Sequence, residues 1–78
     1  MPFVLRIGPF RFFFYSNENA EPPHIHVQNG RCLAKSWLDP GELCSSVKLK
    51  GHELRRIDTM VQEHRPLFLR TWNDYFDA

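Results

Sequence analysis

The dipeptide Asn29-Gly30 lies between two runs in which apolar and polar side chains alternate. Both positions tolerate positive φ, so the pair suits a two-residue type I′ turn between antiparallel strands. Counting outward from that turn places His26 opposite Leu33, and the other pairs follow from the same register. The sequence therefore predicts a β-hairpin near the middle of the chain, with strands over residues 24–28 and 31–38.

The predicted hairpin has two different faces, because successive side chains of a strand point to opposite sides. One face is apolar and mostly small, as close packing of a helix would require. Its members are Ile25, Val27, Cys32, Ala34, Ser36 and Leu38. The other face is polar, partly basic and edged by an aromatic ring, which makes it a candidate site. Its members are His24, His26, Gln28, Arg31, Leu33, Lys35 and Trp37.

Three further segments have the composition of strands. The turn pair Gly8-Pro9 joins the first two as a hairpin. The second strand alternates, with Arg11, Phe13 and Tyr15 on one side. The predicted ranges are residues 4–7, 10–16 and 43–49, the last being a short further strand.

A helical pattern follows Gly51, with apolar residues recurring at steps of three or four up to Tyr75. Pro66 interrupts this stripe, which predicts either a kink or a second helix that begins near the proline. We therefore expect one α+β domain over residues 1–78. Its small antiparallel N-terminal sheet of about four strands would be covered on one face by a C-terminal helix or kinked helix pair.

The composition sets few limits on the partner. Ten Lys and Arg against nine Asp and Glu leave a formal charge of +1, which excludes neither nucleic acid nor protein. Cys32 and Cys44 have no zinc-like spacing and are predicted to be free, buried thiols. No apolar span approaches the ~20 residues that cross a bilayer, and no cleavable leader is recognisable. We expect a soluble protein of the cytoplasm.

The pair His24 and His26 carries the strongest chemical signal, because both imidazoles lie on one side of one strand. As candidate catalytic residues they would move a proton or attack phosphorus while cations neutralise the phosphate oxygens. The predicted phosphate- or nucleic-acid-binding residues are Arg31, Lys35, Arg11, Tyr15 and Trp37.

Two other interpretations of the histidine pair remain open. His24 and His26 could ligate a divalent metal together with Glu18 and Glu21 of the preceding loop. No cofactor is favoured, because zinc requires four ligands in all and a third histidine is missing. Alternatively, the two rings are half-exposed structural residues that hydrogen-bond to that loop.

Several segments together resemble a prokaryotic family catalogued as domain of unknown function 4160. The resemblance extends over nearly the whole chain, and the motifs lie within residues 11–18, 22–27, 34–40 and 72–76. It implies a small cognate protein encoded by a neighbouring gene, in an arrangement like a toxin–antitoxin pair. The chain departs from the family pattern at Asn19, Ser36 and Pro66, which weakens the case for a metal ligand in the loop and for an uninterrupted helix.

Three functional hypotheses follow. The first is a component of a toxin–antitoxin-like pair that contacts RNA or a nucleotide phosphate through the His/Arg/Lys face, with nuclease chemistry as an extension. The second is a non-catalytic protein-interaction or regulatory module, antitoxin-like in role. The third is a small metal-binding protein. A homo-oligomer is compatible with each, because a domain of this size buries only about 60% of its unfolded surface.

Overall fold

The computed structural model describes residues 3–15, 20–38, 43–47 and 50–76, except for the side chains of Phe3 and of residues 43–47. Five strands form one antiparallel sheet in the order β1-β2-β3-β4-β5, and one helix follows. The elements are β1 (Phe3–Ile7), β2 (Phe10–Phe13), β3 (His24–Asn29), β4 (Cys32–Trp37), β5 (Leu43–Val47) and α1 (Gly51–Phe76).

The predicted α+β arrangement is confirmed, with the antiparallel sheet first and the helix last. The short further strand is β5, which pairs with β4 and makes the fifth strand. Strands β1 and β3 are each one residue longer than predicted, whereas β4 is shorter and β2 ends at Phe13 rather than at residue 16. Residues 39–42, between β4 and β5, lie outside the described residues.

The predicted register between β3 and β4 is wrong by two residues. Asn29 pairs with Cys32, so Gly30 and Arg31 form the turn, and His26 lies opposite Lys35 rather than opposite Leu33. The turn needs positive φ at its first residue, and Gly30 supplies it with φ of 61°. Because side chains alternate with a period of two, this shift leaves the residues of β3 and β4 on their predicted faces, whereas Arg31 moves into the turn.

The core lies between the apolar face of the sheet and α1. Phe12 and Phe68 stack with ring centroids 5.2 Å apart, and Phe14 packs against Trp72 at the same centroid separation. These aromatic residues supply large buried area in a small domain. The cluster contains Phe10, Phe12, Phe14, Ile25, Val27, Ala34, Leu38, Ile57, Met60, Val61, Phe68 and Trp72.

The helix runs without a break from Gly51 to Phe76 and contains Pro66. The predicted restart at the proline is therefore absent. Proline has no N–H to donate to the carbonyl one turn back, that of Gln62. Both residues are exposed, so water can solvate that carbonyl. Next to the proline, Arg65 Nε donates to the Leu38 carbonyl and ties α1 to the end of β4.

Candidate functional site

The sheet face opposite α1 carries the predicted site residues, and we call it the outer face. Phe12, Val27 and Ala34 pack toward the helix, so their neighbours along each strand point the other way. The outer face is made of Arg6, Arg11, Phe13, His26, Gln28, Leu33, Lys35 and Trp37. Tyr15 extends it beyond the end of β2, where its ring contacts Phe13 and His26.

His26 lies at the centre of a group of rings on the outer face. The Phe13 ring stacks on it at 5.5 Å, and the Tyr15 ring meets it edge-on at 4.9 Å. His24 is the third neighbour at 5.2 Å. Only 8% of His26 is exposed, so the expectation of a half-exposed ring is wrong.

His24 is fully buried and its orientation is fixed. Its Nδ1 lies 2.9 Å from the Pro22 carbonyl oxygen. A carbonyl only accepts, so Nδ1 carries the proton and, in the neutral ring, the lone pair is on the buried Nε2. The ring also contacts Trp37 at 5.7 Å and Trp72 at 4.9 Å. His24 thus joins the end of the sheet to α1.

Lys35 lies opposite His26 on β4, and a carboxylate and a ring hold its ammonium group. Nζ is 2.6 Å from Oε1 of Glu21 and 4.6 Å from the centroid of the Trp37 ring. The glutamate offsets the lysine charge, and the cation–π contact covers one face of the indole. Lys35 and Trp37, both predicted to contact nucleic acid, are therefore engaged with each other.

Two arginines lie side by side at the other end of the outer face. Arg6 on β1 pairs in register with Arg11 on β2, and both side chains are exposed. Arg6 Nε donates to the Gly8 carbonyl at 3.2 Å. Arg11 in turn lies opposite Gln28, which places the β1–β2 turn and the β3–β4 turn at the same end of the sheet. Arg31, exposed in the second turn, is therefore at this end as well.

Arg6 is a site residue that sequence reasoning missed. The signal was present, because a two-residue turn at Gly8-Pro9 places Arg6 opposite Arg11 by the same counting used for the next hairpin. Like charges directly opposite each other in a sheet destabilise it. Arg6 and Arg11 therefore concentrate positive charge at one end of the exposed face.

The metal hypothesis requires several ligand side chains to lie around one position. Among the residues that the structure describes, no group of three or more His, Cys, Asp or Glu side chains is placed to hold an ion. Glu21 binds Lys35, and Glu18 lies outside the described residues. The thiol of Cys32 is half-buried, and the side chain of Cys44 is not among those described.

Residues 10–73 match the family described as Domain of unknown function (DUF4160). The chain belongs to this family. Comparison of the DUF4160 chain with curated proteins and with solved structures finds no match. The matched residues include Arg11, Tyr15, His24 and His26, whereas Arg6 precedes the match.

Within the described part of this DUF4160 protein, no helix has the length and apolar character needed to cross a membrane.

Proposed function

We propose that this DUF4160 protein is a component of a small prokaryotic toxin–antitoxin-like pair, and that its outer face contacts RNA or a nucleotide phosphate. The observation that carries the proposal is the pairing of two exposed arginines, Arg6 and Arg11, in register on adjacent strands.

A phosphate group fits between two such arginines for electrostatic and geometric reasons. The guanidinium plane presents paired N–H donors that match phosphate oxygens. An anion bound to Arg6 and Arg11 would also offset the repulsion between them. Arg31 at the same end of the sheet adds a third positive charge within reach of a chain of phosphates.

In this proposal His24 and His26 are positioning residues. Both rings are buried among other rings, with exposed fractions of 0% and 8%, and the Nδ1 proton of His24 is committed to a backbone carbonyl. Buried rings of this kind can support the packing of the outer face, but they are poorly placed to attack a phosphorus atom of a bound ligand. Nuclease chemistry would require substrate to reach the imidazole nitrogens.

The test is binding of a fluorescently labelled single-stranded RNA, measured by anisotropy over a series of salt concentrations. The double variant Arg6→Gln/Arg11→Gln should weaken binding and reduce the slope of log K against log[salt] by about 1.4, at ~0.7 for each lost phosphate contact. The matched control is Arg55→Gln/Arg70→Gln, which removes two exposed arginines from α1. Equal effects of the two double variants, or no effect of either, would overturn the proposal.

The proposed partner is a small cognate protein encoded by a neighbouring gene, as the family resemblance implies. Co-expression of the two chains should yield a complex that survives purification and changes the growth inhibition caused by either chain alone. Absence of both a complex and a growth effect would reject the toxin–antitoxin-like role.

A second candidate, the non-catalytic protein-interaction module, is favoured by a different observation. Tyr75 near the end of α1 is 46% exposed, and its ring packs edge-on against Phe14 and Phe76. Rigid, partly exposed aromatic rings are frequent anchors of protein interfaces. If this candidate is correct, Tyr75→Glu should abolish the complex with the cognate protein, and Arg6→Gln/Arg11→Gln should leave it intact.

A further inference from the structure

At one end of the outer face, the Tyr15 ring packs against two buried rings. It packs edge-on against His26 at 4.9 Å and against Phe13 at 5.6 Å. Phe13 and His26 are only 2% and 8% exposed, whereas Tyr15 is 40% exposed. We call these three residues the stacking platform. Its buried members fix the position of an aromatic ring that is partly open to solvent.

Trp37 does not offer the same surface, although it is the larger ring. The Lys35 ammonium lies 4.6 Å from its centroid, and His24 packs at right angles to it. These neighbours cover part of the indole surface, and Trp37 is half-buried. Tyr15 is 40% exposed, so of these two rings it offers a flat ligand the more accessible surface.

The platform and the paired arginines are on one continuous surface. The side chains of Arg11 and Phe13 point to the same side of β2. Tyr15, two residues after Phe13, lies on that side as well, because its ring contacts the Phe13 ring. Tyr15 is four positions after Arg11, so their Cα atoms are at most about 14 Å apart along an extended chain. A ligand that reaches both must carry phosphate at one end and a flat aromatic group farther along.

Single-stranded nucleic acid has this combination of groups, and a base-paired duplex does not. In a duplex the base faces are stacked on each other, and proteins reach only the base edges in the grooves. In a single strand the base faces are accessible to aromatic side chains.

We propose that the ligand of the outer face is single-stranded nucleic acid, with an unpaired base stacked on Tyr15 while Arg6 and Arg11 hold the backbone. This inference rests on the proposed function and specifies its substrate class. RNA and DNA share the required chemistry, because every base has a stacking face. Comparison of an RNA probe with a DNA probe therefore determines which type of strand binds more tightly.

The experiment compares four labelled probes over one common series of salt concentrations: a short oligouridine, its DNA counterpart, a blunt RNA duplex, and an abasic strand of the same length. The protein variants are Tyr15→Leu, which removes the ring, and Tyr15→Phe, which keeps it. Tyr15→Leu should weaken binding of the single strands by about tenfold, within the range for loss of one stacked base. It should leave the salt slope unchanged, and Tyr15→Phe should bind like wild type.

The abasic strand, measured first with the wild-type protein, reports the loss of base stacking without any substitution that could affect folding. It should bind about tenfold more weakly than oligouridine, and Tyr15→Leu should not weaken it further. Tighter binding of either RNA or DNA identifies the strand type and supports the inference, as does equal binding of the two.

Failure of this inference and failure of the proposed function give different results. If strands bind through Arg6 and Arg11 but the duplex or the abasic strand binds as well as oligouridine, only the stacking inference is overturned. If no probe binds in an arginine-dependent manner, the proposed function is rejected together with it.

Discussion

The Lys35 ammonium on β4 lies 2.6 Å from a carboxylate oxygen of Glu21, which comes before β3 in the chain. The lysine side chain is 19% exposed and the glutamate side chain is 43% exposed. An anion that approaches the outer face near Lys35 therefore meets a cation that already has a carboxylate partner.

Glu21→Gln should increase the affinity for phosphate-bearing ligands by about threefold, in keeping with the modest strength of exposed ion pairs. The substitution removes the negative charge and keeps the size of the side chain. The salt slope for a single strand should rise by about 0.7 if Lys35 then contacts a phosphate. Anisotropy titrations check both quantities.

Glu63→Gln is the matched control for this change, because Glu63 is an exposed glutamate on α1. Glu63→Gln changes the net charge of the protein by the same amount as Glu21→Gln. If Glu63→Gln raises the affinity as much as Glu21→Gln does, the effect comes from total charge and the contact with Lys35 has no special role.

His26→Ala should lower the free energy of unfolding by about 3 kcal/mol, as expected when a large buried side chain is truncated. The loss arises because the Phe13 and Tyr15 rings, centred 5.5 and 4.9 Å from the imidazole, lose their shared neighbour. His26→Phe keeps a ring in that place and should cost much less. Urea unfolding of the three proteins measures the difference. A catalytic role without a structural one predicts unchanged unfolding for His26→Ala.

His24 should carry its proton on Nδ1 in the neutral state, because Nδ1 lies 2.9 Å from the Pro22 carbonyl oxygen. Long-range proton–nitrogen correlation spectra of the imidazole identify the tautomer directly in mildly alkaline buffer. A spectrum with the proton on Nε2 would mean that the contact with Pro22 is absent in solution and that the imidazole ring is oriented differently.

Gly30→Ala should destabilise the protein by about 1 kcal/mol, because a non-glycine residue at positive φ is strained. The φ of Gly30 is 61°, and a Cβ built there meets no atom within 4 Å, so crowding does not contribute. Gly30→Asn should cost less, since asparagine tolerates this conformation. Gly51→Ala is the control, because Gly51 also has open space but no positive φ. Equal unfolding free energies for Gly30→Ala and Gly51→Ala would contradict the turn assignment.

The faces of the sheet were predictable from sequence, and the pairing of individual residues was not. Alternation along a strand depends only on the chain itself, so the division between the Ile25 side and the His26 side is correct. Register depends on which residues form the turn. Asn29-Gly30 and Gly30-Arg31 both place a glycine in a two-residue loop, and the second leaves Asn29 paired with Cys32 in the ladder.

Burial at the site was harder to predict than position. His26 lies on the face opposite α1, where alternation predicts solvent. Its exposure is low because Phe13 and Tyr15 pack on it. Those contacts depend on side-chain directions across two segments, which a linear pattern does not contain. The partnership of Lys35 with Glu21 is equally non-local, because the two residues are 14 positions apart.

Each strand of the sheet pairs with the strand that precedes or follows it in the chain, and α1 comes last. The sheet can therefore assemble one hairpin at a time during translation, since each loop that must close is short. Its apolar side, with Phe12 and Ile25, gains a cover only after α1 has been synthesised. Until then a nascent chain exposes hydrophobic surface through which it can associate with other chains. The order of the elements makes completion of the helix the step that protects this protein from aggregation.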